Sequence, residues 1–489
     1  MNVLFCTTEV QPFSRVGGLA EFSHALPVTL HGMGEQVAIV TPLYQNVNRQ
    51  VSTIEPVAEL PSADLFLGQD RFVVRFHRSV LPGTPIPVYF VECEPFFGRE
   101  GIYTNPSDGV GFADNHRRFA MFQIAIAHLI EKGIVTPDLL HLNEYHTALL
   151  PAIILSRKAK MPAFEKIKTL LTIHNVMFQG DCDEAFAWNL GISETLFAPD
   201  SPYIRNGRLN FLKAGVLFAD KVVAVSPSYA EETRSNDEAG YGLSRELSGR
   251  GKDFFGILNG VDYSSWDPKN DEQISFQYSV DSLAQKEKNK EELLAKNGLD
   301  YSNPDIPSVG MITRLTNTKG FDLMVPVFDK LMTLDLTMVI LGTGEARYHK
   351  LFESLKMRFP HKLGLNLTYS NKMAHQILAG SDFFLMPSRY EPCGQHQMFA
   401  MRYGAVPIVR ATGGLADTVK NLSDDYSDGW GFTFNEYDSA KFLKTVWRAV
   451  SMFKDRKRFR RVVQQSMQLD YSWKVTASQY HTAYASLVG

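Results

Sequence analysis

Residues 308–320 have the sequence Ser-Val-Gly-Met-Ile-Thr-Arg-Leu-Thr-Asn-Thr-Lys-Gly. The first part is a nearly continuous apolar run, which is typical of a strand that helices cover on both faces. Arg314 and Lys319 follow it, five residues apart, where the strand turns into a helix. A diphosphate needs fixed positive charge, and arginine supplies a bidentate fork while lysine supplies a point charge. The stretch therefore predicts a parallel strand with an anion-binding turn, although two solvated loop cations fit the same residues.

Similar short apolar runs alternate with amphipathic helical stretches along the whole chain. This alternation predicts an α/β protein with doubly wound parallel sheets. The further predicted strands are residues 3–6, 36–40, 88–91, 139–142, 169–173, 221–225, 337–341, 382–386 and 405–409. Residues 71–77 alternate instead between apolar and polar side chains, which indicates part of a meander near a sheet edge.

The composition changes between residues 260 and 305, where a polar, turn-rich stretch precedes one predicted helix and a second turn. We interpret this region as the boundary between two α/β domains of similar size. The predicted organisation is an N-terminal domain over residues 1–262, an interdomain linker over 263–305, a C-terminal domain over 306–471 and a last helix over 472–489.

The overall composition excludes several classes of protein. The chain has 489 residues, of which 44% are hydrophobic, so it can bury one or two large cores. Fifty Lys and Arg against 53 Asp and Glu give a formal net charge of -3. That balance excludes a bulk polyanion binder and a disordered chain. No apolar run reaches the length of a membrane span and no basic leader begins the chain, so we expect neither a membrane segment nor a signal peptide.

The four cysteines are scattered and have no CxxC spacing, which argues against a zinc site and fits a reducing cytoplasm. Disulfide pairing stays open. Two glycine loops, at residues 17–18 and 342–344, lack the GxGxxG pattern. For each of them taken alone, a simple turn is favoured over a phosphate site.

A second group of polar residues follows the predicted strand 382–386. Glu391 stands on a proline-containing loop and can accept hydrogen bonds from sugar hydroxyls. Gly394 lets the backbone approach a ligand and precedes a helix whose free N–H groups can hold phosphate. Residues 412–415 open another helix in the same way.

Taken in order, these motifs resemble those of the bacterial glycogen synthase and plant starch synthase family, and the resemblance runs nearly from end to end. The motifs that carry it lie at residues 9–12, 17–20, 172–175, 211–215, 225–229, 257–262, 314–320, 391–394, 402–404, 410–419 and 471–473.

The resemblance implies a GT-B fold, in which two Rossmann-like domains face a deep cleft and the C-terminal helix crosses back to the first domain. It implies a cytoplasmic glucosyltransferase that moves glucose from ADP-glucose to the non-reducing end of an α-1,4-glucan with retention of configuration. UDP-glucose is the alternative donor. No metal or organic cofactor, nucleic acid or membrane is implied as a partner, and homo-oligomer formation stays open.

The resemblance also implies roles for individual residues. Arg314 and Lys319 would neutralise the leaving diphosphate, Glu391 would bind hydroxyls of the transferred glucose, and His174 would meet its 6-hydroxyl. The implied catalytic residues are thus His174, Arg314, Lys319 and Glu391. The implied donor-binding residues are Arg15, Gly17, Gly18, Asn259, Tyr369, Cys393, Gly394, Gln395 and His396. The implied residues on the acceptor or sugar side are Glu21, Tyr103 and Glu144. For Tyr369 and Tyr103 a plain core position fits the sequence equally well.

Several of these positions depart from the family pattern. Arg15 replaces the usual lysine, Glu21 and Glu144 replace aspartates, Thr318 replaces a glutamine, and Gln395-His396 replaces Leu-Thr. Arginine and lysine are not interchangeable at a phosphate site. We expect an active enzyme with an altered donor or acceptor pocket, and reduced or lost synthase activity is the alternative.

Rival functions come from other classes. A non-catalytic glucan-binding or regulatory protein would bind primer without transfer. A different GT-B enzyme, such as an epimerase or a phosphorylase with lysine-bound pyridoxal phosphate, fits the same fold class. The basic cluster at residues 455–461 could suit nucleic acid, but a solvated helix face is favoured in a chain of net charge -3.

Overall fold

The computed structural model describes residues 1–192, 204–205 and 207–489, with Arg205 described by its backbone alone. These residues form two compact units. Unit 1 comprises Met1–Val225, Ala230–Ile257 and Trp473–Gly489, and unit 2 comprises Ser226–Tyr229 and Leu258–Ser472. The chain therefore leaves unit 1 at Ile257, a few residues before the predicted end at 262, and returns to it for the last helix.

The expectation of a separate linker over residues 263–305 is wrong. This segment belongs to unit 2. Its helix Ala284–Lys296 packs on the helix Asn371–Gly380 of that unit. Lys290 Nζ lies 2.8 Å from Asp382 Oδ2, with both side chains buried. The polar composition thus reflects buried pairing as well as solvent exposure.

The strands of unit 1 form one large mixed sheet and a small antiparallel one. They are β1 (Asn2–Cys6), β2 (Gln36–Pro42), β3 (Glu55–Pro56), β4 (Ser62–Leu67), β5 (Asp70–Val80), β6 (Pro87–Glu92), β7 (Leu139–Asn143), β8 (Lys168–Ile173), β9 (Asp181–Asp183), β10 (Ile204–Arg205), β11 (Arg208–Asn210), β12 (Lys221–Ala224) and β13 (Phe254–Gly256). The large sheet has the order β13-β12-β8-β7-β1-β2-β6-β5-β3, with β4 paired to β5, and the small sheet has the order β10-β11-β9.

The large sheet is parallel from β13 to β6 and antiparallel beyond it. Every residue of β7 is buried, as expected for a strand covered on both faces. The alternating residues 71–77 lie within β5, in the antiparallel edge, so the predicted meander is confirmed.

Helices cover the large sheet. They are α1 (Gly18–Gly32), α2 (Glu94–Phe97), α3 (Asn115–Glu131), α4 (Leu150–Arg157), α5 (Phe211–Phe218), α6 (Pro227–Ser235) and α7 (Ser244–Gly249). The first residues of α6 are grouped with unit 2. Short 3-10 turns span Tyr145–Thr147, Pro162–Phe164, Glu184–Leu190 and Gly251–Asp253.

Unit 2 contains a parallel sheet. Its strands are β14 (Ser308–Leu315), β15 (Thr337–Gly344), β16 (Leu363–Asn366), β17 (Phe383–Met386), β18 (Val406–Arg410) and β19 (Phe432–Phe434). Their order is β16-β15-β14-β17-β18-β19, and all neighbours pair in parallel. Its helices are α8 (Ala284–Lys296), α9 (Phe321–Met324), α10 (Phe328–Thr333), α11 (Ala346–Arg358), α12 (Asn371–Gly380), α13 (His396–Arg402), α14 (Gly413–Thr418), α15 (Ser439–Phe453) and α16 (Arg456–Met467).

The last helix, α17 (Trp473–Val488), belongs to unit 1 and packs on α1. The rings of Trp473 and Tyr480 lie 5.7 and 5.9 Å from the ring of Phe22. The hydroxyl of Tyr484 lies 2.5 Å from Nδ1 of the buried His141. The prediction that the last helix packs on the N-terminal domain is confirmed.

The four cysteines, all within the described ranges, are buried as free thiols. Over the part of the chain that the structure describes, no helix combines the length and the apolar character that crossing a membrane requires.

Candidate functional site

The charged residues predicted from the sequence of unit 2 meet at one edge of its sheet. Lys319 follows β14, and Glu391 lies on the loop after the neighbouring strand β17. Carboxyl ends of parallel neighbours lie at the same edge, where α/β sheets bind ligands. Lys319 Nζ is 2.7 Å from Glu391 Oε2, and the two side chains are 21% and 12% exposed. The pair is thus shielded from solvent but still accessible.

The turn that carries Lys319 is pressed against the loop that carries Glu391. Gly320 has a φ of +79°, in the left-handed region that favours glycine. A Cβ at this position would stand 2.0 Å from the carbonyl oxygen of Pro387. The close approach requires glycine, and it sets the position of the lysine next to the loop.

The loop itself is held through its backbone. Gly414, in the first turn of α14, donates its N–H to the carbonyl oxygens of Glu391 and Pro392. Arg410 donates to the carbonyl oxygens of Ser388 and Arg389, at 2.9 and 2.5 Å. These contacts fix the backbone on both sides of the Glu391 side chain.

Two further side chains complete this arrangement. Ser388 Oγ donates to Glu391 Oε2 at 2.9 Å. Gln397 Nε2 donates to the carbonyl oxygens of Cys393 and Gly394, each at 3.2 Å. Sequence reasoning did not assign roles to Ser388 and Gln397. The available signal was their position within four residues of the recognisable Glu391-Pro392-Cys393-Gly394 stretch.

The predicted donor residues Cys393 and His396 carry no charge near neutral pH. Burial raises the pKa of the Cys393 thiol to about 12. Burial lowers the pKa of His396 to about 4, and the nearby Lys319 acts in the same direction. The thiol is therefore not a nucleophile, and the imidazole can donate only one hydrogen bond.

Asn259 and Gln395 lie with this group. The backbone N–H of Asn259 lowers the pKa of the Cys393 thiol, against the larger effect of burial. Asn259 Oδ1 is buried and makes no hydrogen bond to the residues that the structure describes. Gln395 Nε2 donates to the carbonyl oxygen of Gly260 at 3.3 Å. An unpaired buried amide oxygen is costly, so it marks a position where a ligand can contribute a donor.

Tyr369 and Arg314 are placed differently. Tyr369 is 60% exposed, so the alternative of a core aromatic is wrong for this residue. Arg314 is the next-to-last residue of strand β14, in register with Thr343 of β15. The second glycine loop of the sequence is therefore the end of a strand beside Arg314.

In unit 1, the first glycine loop is organised by a residue that was not assigned a role, Glu9. Its Oε2 accepts hydrogen bonds from the backbone N–H groups of Val16 and Gly17, at 2.5 and 2.8 Å. Its Oε1 accepts one from the hydroxyl of Tyr103 at 2.8 Å. The signal in the sequence was a carboxylate three residues after the buried strand β1. A protein carboxylate thus takes N–H groups at the start of α1, where an anion is favoured.

Two of the residues that depart from the family pattern, Arg15 and Glu21, lie near this loop. Arg15 is exposed, and its guanidinium lies 3.4 Å from Gln11 Oε1. Gly18 is the first residue of α1, and Glu21 is in its first turn. An acidic side chain there is favoured by the positive end of the helix dipole.

Glu144 and His174 form one arrangement at the ends of β7 and β8. Glu144 is buried, with a φ of +63°, and its Oε1 accepts hydrogen bonds from the backbone N–H groups of His174 and Asn175, at 2.5 and 3.0 Å. Burial raises the pKa of the Glu144 carboxyl to about 8. The hydrogen bonds from this carboxyl fix the backbone at His174 and Asn175.

His174 is neutral at physiological pH, because burial lowers its pKa to about 3. Its Nε2 lies 3.0 Å from Asn143 Oδ1, and its ring meets the Phe22 ring edge to face at 4.6 Å. Tyr103 stacks on the ring of His146 at 4.9 Å, and burial raises its pKa well above the ordinary value. The rings of His174 and Tyr103 are each held by packing and by a hydrogen bond, to Asn143 and Glu9 respectively.

The structure therefore gathers most predicted residues into two groups, one in each unit. Lys319, Glu391, Cys393, His396 and Asn259 are linked in unit 2. In unit 1, Glu144 is joined to His174 and Tyr103 is joined to the first glycine loop. Within the described ranges, no set of three or more His, Cys, Asp or Glu side chains is arranged to hold a metal ion.

Known proteins resemble this chain over nearly its whole length. Residues 2–249 match the family described as Starch synthase catalytic domain, and residues 289–465 match Glycosyl transferases group 1. The glycogen synthase of Thermotoga petrophila is 39% identical over 99% of this chain and 98% of its own. That of Caldicellulosiruptor saccharolyticus is 36% identical over 100% of both.

Solved structures agree. The catalytic domain of starch synthase IV from Arabidopsis thaliana, bound to ADP and acarbose, has a TM-score of 0.88 at 31% identity and covers 100% of this chain and 99% of its own. A sucrose-phosphate synthase from Thermosynechococcus elongatus, at 15% identity and a TM-score of 0.59 over 99% of this chain and 98% of its own, shares the fold. The chain therefore belongs to the glycogen and starch synthase family of GT-B glucosyltransferases.

Proposed function

We propose that this enzyme transfers glucose from ADP-glucose to the 4-hydroxyl at the non-reducing end of an α-1,4-glucan, with retention of configuration. The observation that carries the proposal is the Lys319–Glu391 pair, 2.7 Å apart at the carboxyl ends of two parallel neighbours and fixed there by the close approach at Gly320. A cation for the leaving group and a carboxylate for the sugar are thereby held together before any substrate binds.

In unit 2 the proposed roles concern the donor. Lys319 and Arg314 contact its diphosphate and stabilise the negative charge that grows on it as the glycosidic bond breaks. Preorganised groups of this kind are usually the largest single contribution to catalysis, because they need no reorganisation during the reaction. Glu391 accepts hydrogen bonds from hydroxyls of the transferred glucose.

Further donor contacts complete the proposal for unit 2. The amide oxygen of Asn259 accepts a hydrogen bond from the bound nucleotide sugar, which would satisfy this buried group. The exposed ring of Tyr369 stacks on the base. Residues 393–396 line the diphosphate through the backbone and through the neutral imidazole of His396.

In unit 1 the proposed roles concern the glucosyl group and the acceptor. The imidazole of His174 contacts the 6-hydroxyl of the glucose and accepts a hydrogen bond from it at Nδ1, because the neutral ring donates its Nε2–H to Asn143 Oδ1. The carbonyl oxygen of His174 stabilises positive charge at the anomeric carbon. Glu144 acts as a positioning residue, because its carboxyl holds the N–H groups of His174 and Asn175. Tyr103 and Glu21 contact the acceptor or the sugar. Arg15 and the loop 17–18 contact the nucleotide-sugar donor.

The proposed chemistry needs no nucleophile from the protein. The acceptor hydroxyl attacks the face from which the phosphate departs, and the departing phosphate oxygen takes the proton of that hydroxyl. The C1–O bond to phosphate breaks as the new C1–O4 bond forms, so the α configuration is kept. We propose that neither a metal ion nor an organic cofactor takes part.

A matrix of donors and acceptors tests this proposal. Purified protein is incubated with labelled ADP-glucose or UDP-glucose and with maltotriose, maltoheptaose or glycogen, and incorporation of label is measured. Incorporation from ADP-glucose into α-amylase-sensitive product is expected, with UDP-glucose at least tenfold slower. No incorporation from either donor by folded protein would exclude the transferase activity, and preference for UDP-glucose would exclude the proposed donor.

A further inference from the structure

Unit 1 carries a cavity of about 310 Å³ whose lining contains none of the residues proposed above for catalysis, donor or acceptor. Strand β4, helix α3, the end of α4 and the 3-10 turn Glu184–Leu190 form its walls. Its volume lies at the lower end of the range of ligand-binding cavities. It is therefore large enough for part of a chain-like ligand.

Two large aromatic rings at this cavity face solvent. Phe66 is 55% exposed and Trp188 is 58% exposed, although most aromatic side chains of the protein are buried. The backbone N–H of Gly68 donates to the carbonyl oxygen of Asn189 at 2.8 Å. This bond ties the turn after β4 to the 3-10 turn, so the two rings are presented to the same cavity by rigid elements.

Asp64, Glu131 and Arg157 at the cavity each have a partner of opposite charge, whereas His128 Nε2 is buried without a hydrogen bond to the residues that the structure describes. Arg157 lies 2.7 Å from Glu131 Oε1, and His128 Nδ1 lies 3.6 Å from Glu131 Oε2. Asp64 pairs with Arg71 at 2.8 Å. The wall therefore offers many hydrogen-bonding atoms but little net charge, which disfavours an anionic or cationic ligand.

Exposed aromatic rings beside neutralised polar groups suit a neutral sugar chain. The apolar face of a pyranose packs on an aromatic ring, while its hydroxyls form hydrogen bonds at the edge of the contact. Two exposed rings give too little surface for a stable protein interface, which takes about 20 to 30 residues on each side.

We infer that this cavity is a second glucan-binding site, separate from the reacting groups, in which Trp188 and Phe66 hold an α-1,4-glucan chain. The inference rests on the proposed function, because the acceptor of that reaction is the sugar chain that the site would take. Its role is to keep a long, branched acceptor attached to the enzyme between transfers.

The test is affinity electrophoresis of the full chain in native gels that contain glycogen, without any donor. Trp188→Ala is expected to raise the dissociation constant for glycogen about tenfold, as for the loss of a central aromatic contact. Phe66→Ala is expected to act in the same direction, and Trp188→Phe to keep most of the affinity. Trp447→Ala is the matched control, because Trp447 is 57% exposed but lies in unit 2.

Equal retention of Trp188→Ala, Trp447→Ala and the unmodified chain would overturn the inference, provided that all unfold at the same temperature. Weaker retention of Trp188→Ala and Phe66→Ala alone would support it. The result is separable from the proposed function. If the protein transfers no glucose but Trp188→Ala still weakens binding to glycogen, the proposed function fails and the second site stands. If the protein transfers glucose but Trp188→Ala binds glycogen normally, only the second site fails.

Discussion

Lys319 and Glu391 neutralise each other at the sheet edge of unit 2, so the removal of either one changes both the charge and the geometry offered to a donor. We expect Lys319→Ala to lower kcat by about 10² to 10³, with the fold unchanged because the pair is partly solvated. Initial rates with ADP-glucose and maltoheptaose measure this. Lys330→Ala, an exposed lysine of α10 in the same unit, is the matched control and should keep full turnover. Turnover within a few-fold of normal in Lys319→Ala would remove Lys319 from the proposed role.

Glu144 gives a pH dependence of stability. Its folded-state pKa of about 8 lies above the ordinary value of 4.5, since burial favours the neutral acid. The stability of the unmodified protein should therefore fall as pH rises from about 4.5 to 8, by up to about 1.4 kcal/mol per pH unit. Glu144→Gln keeps an oxygen for the N–H groups of His174 and Asn175 but cannot ionise.

Urea unfolding at pH 5 and pH 8 checks this expectation. The glutamine variant should match the unmodified protein within error near pH 5 and exceed it at pH 8. A constant difference between the two proteins across this range would show that Glu144 ionises normally in the folded state.

At the level of residues, the sequence identified the ionic groups but not their hydrogen bonds. Lys319 and Glu391 were each predicted to follow a parallel strand, and the carboxyl ends of parallel neighbours lie at the same edge of a sheet. Glu9 was missed, because its role depends on the path of the chain from β1 to α1, which no local pattern describes. The inward direction of the Glu144 carboxyl depends on a positive φ, and a non-glycine residue with this conformation is not predictable from its type.

Among the elements, the turn between β14 and α9 is tightly constrained. Gly320→Ala would add a Cβ 2.0 Å from the Pro387 carbonyl oxygen at a φ of +79°. We expect it to lower the free energy of unfolding by about 3 kcal/mol or more and to reduce turnover. Gly298→Ala, after α8, is the control, because its φ is +64° but no atom lies within 4 Å of the added Cβ.

The control should cost about 1 to 2 kcal/mol, which is the conformational cost alone. Urea unfolding of both variants, together with initial rates, measures the difference. Equal destabilisation by the two substitutions would mean that the loop after β17 moves away at no cost, and that it does not fix Lys319.

The strands of unit 2 were easier to predict than residues 263–305, which precede them. Apolar runs such as 308–313 and 382–386 mark buried parallel strands, because both faces must be covered. Residues 263–305 were mistaken for a linker because their polar side chains looked solvated. In the structure, Trp266 stacks on His375 at 4.0 Å, and Asp271 Oδ2 lies 2.9 Å from His375 Nδ1. Buried polar pairs of this kind cannot be recognised until both partners are placed.

For the whole molecule, α17 is the element that returns to unit 1 from the far end of the chain. We expect removal of residues 473–489 to destabilise unit 1 and leave the sheet of unit 2 intact, because the removed rings pack on Phe22 and His141. Hydrogen exchange followed by mass spectrometry should show faster exchange in α1, β7 and β8. Exchange in β14 and β17 is the internal control. Unchanged exchange in α1 would contradict the expected role of α17.

The same placement of α17 has a consequence for biosynthesis. The ribosome makes the sheet of unit 1 first, and it makes α17, which covers part of that unit, only after the whole of Leu258–Ser472. At about 5 to 20 residues per second, this delay lasts roughly ten to forty seconds. During that interval the apolar surface around Phe22 lacks the cover that Trp473 and Tyr480 of α17 provide. We therefore expect nascent unit 1 to expose this surface until α17 is made, so a chain truncated within unit 2 should bind chaperones more than the full chain does.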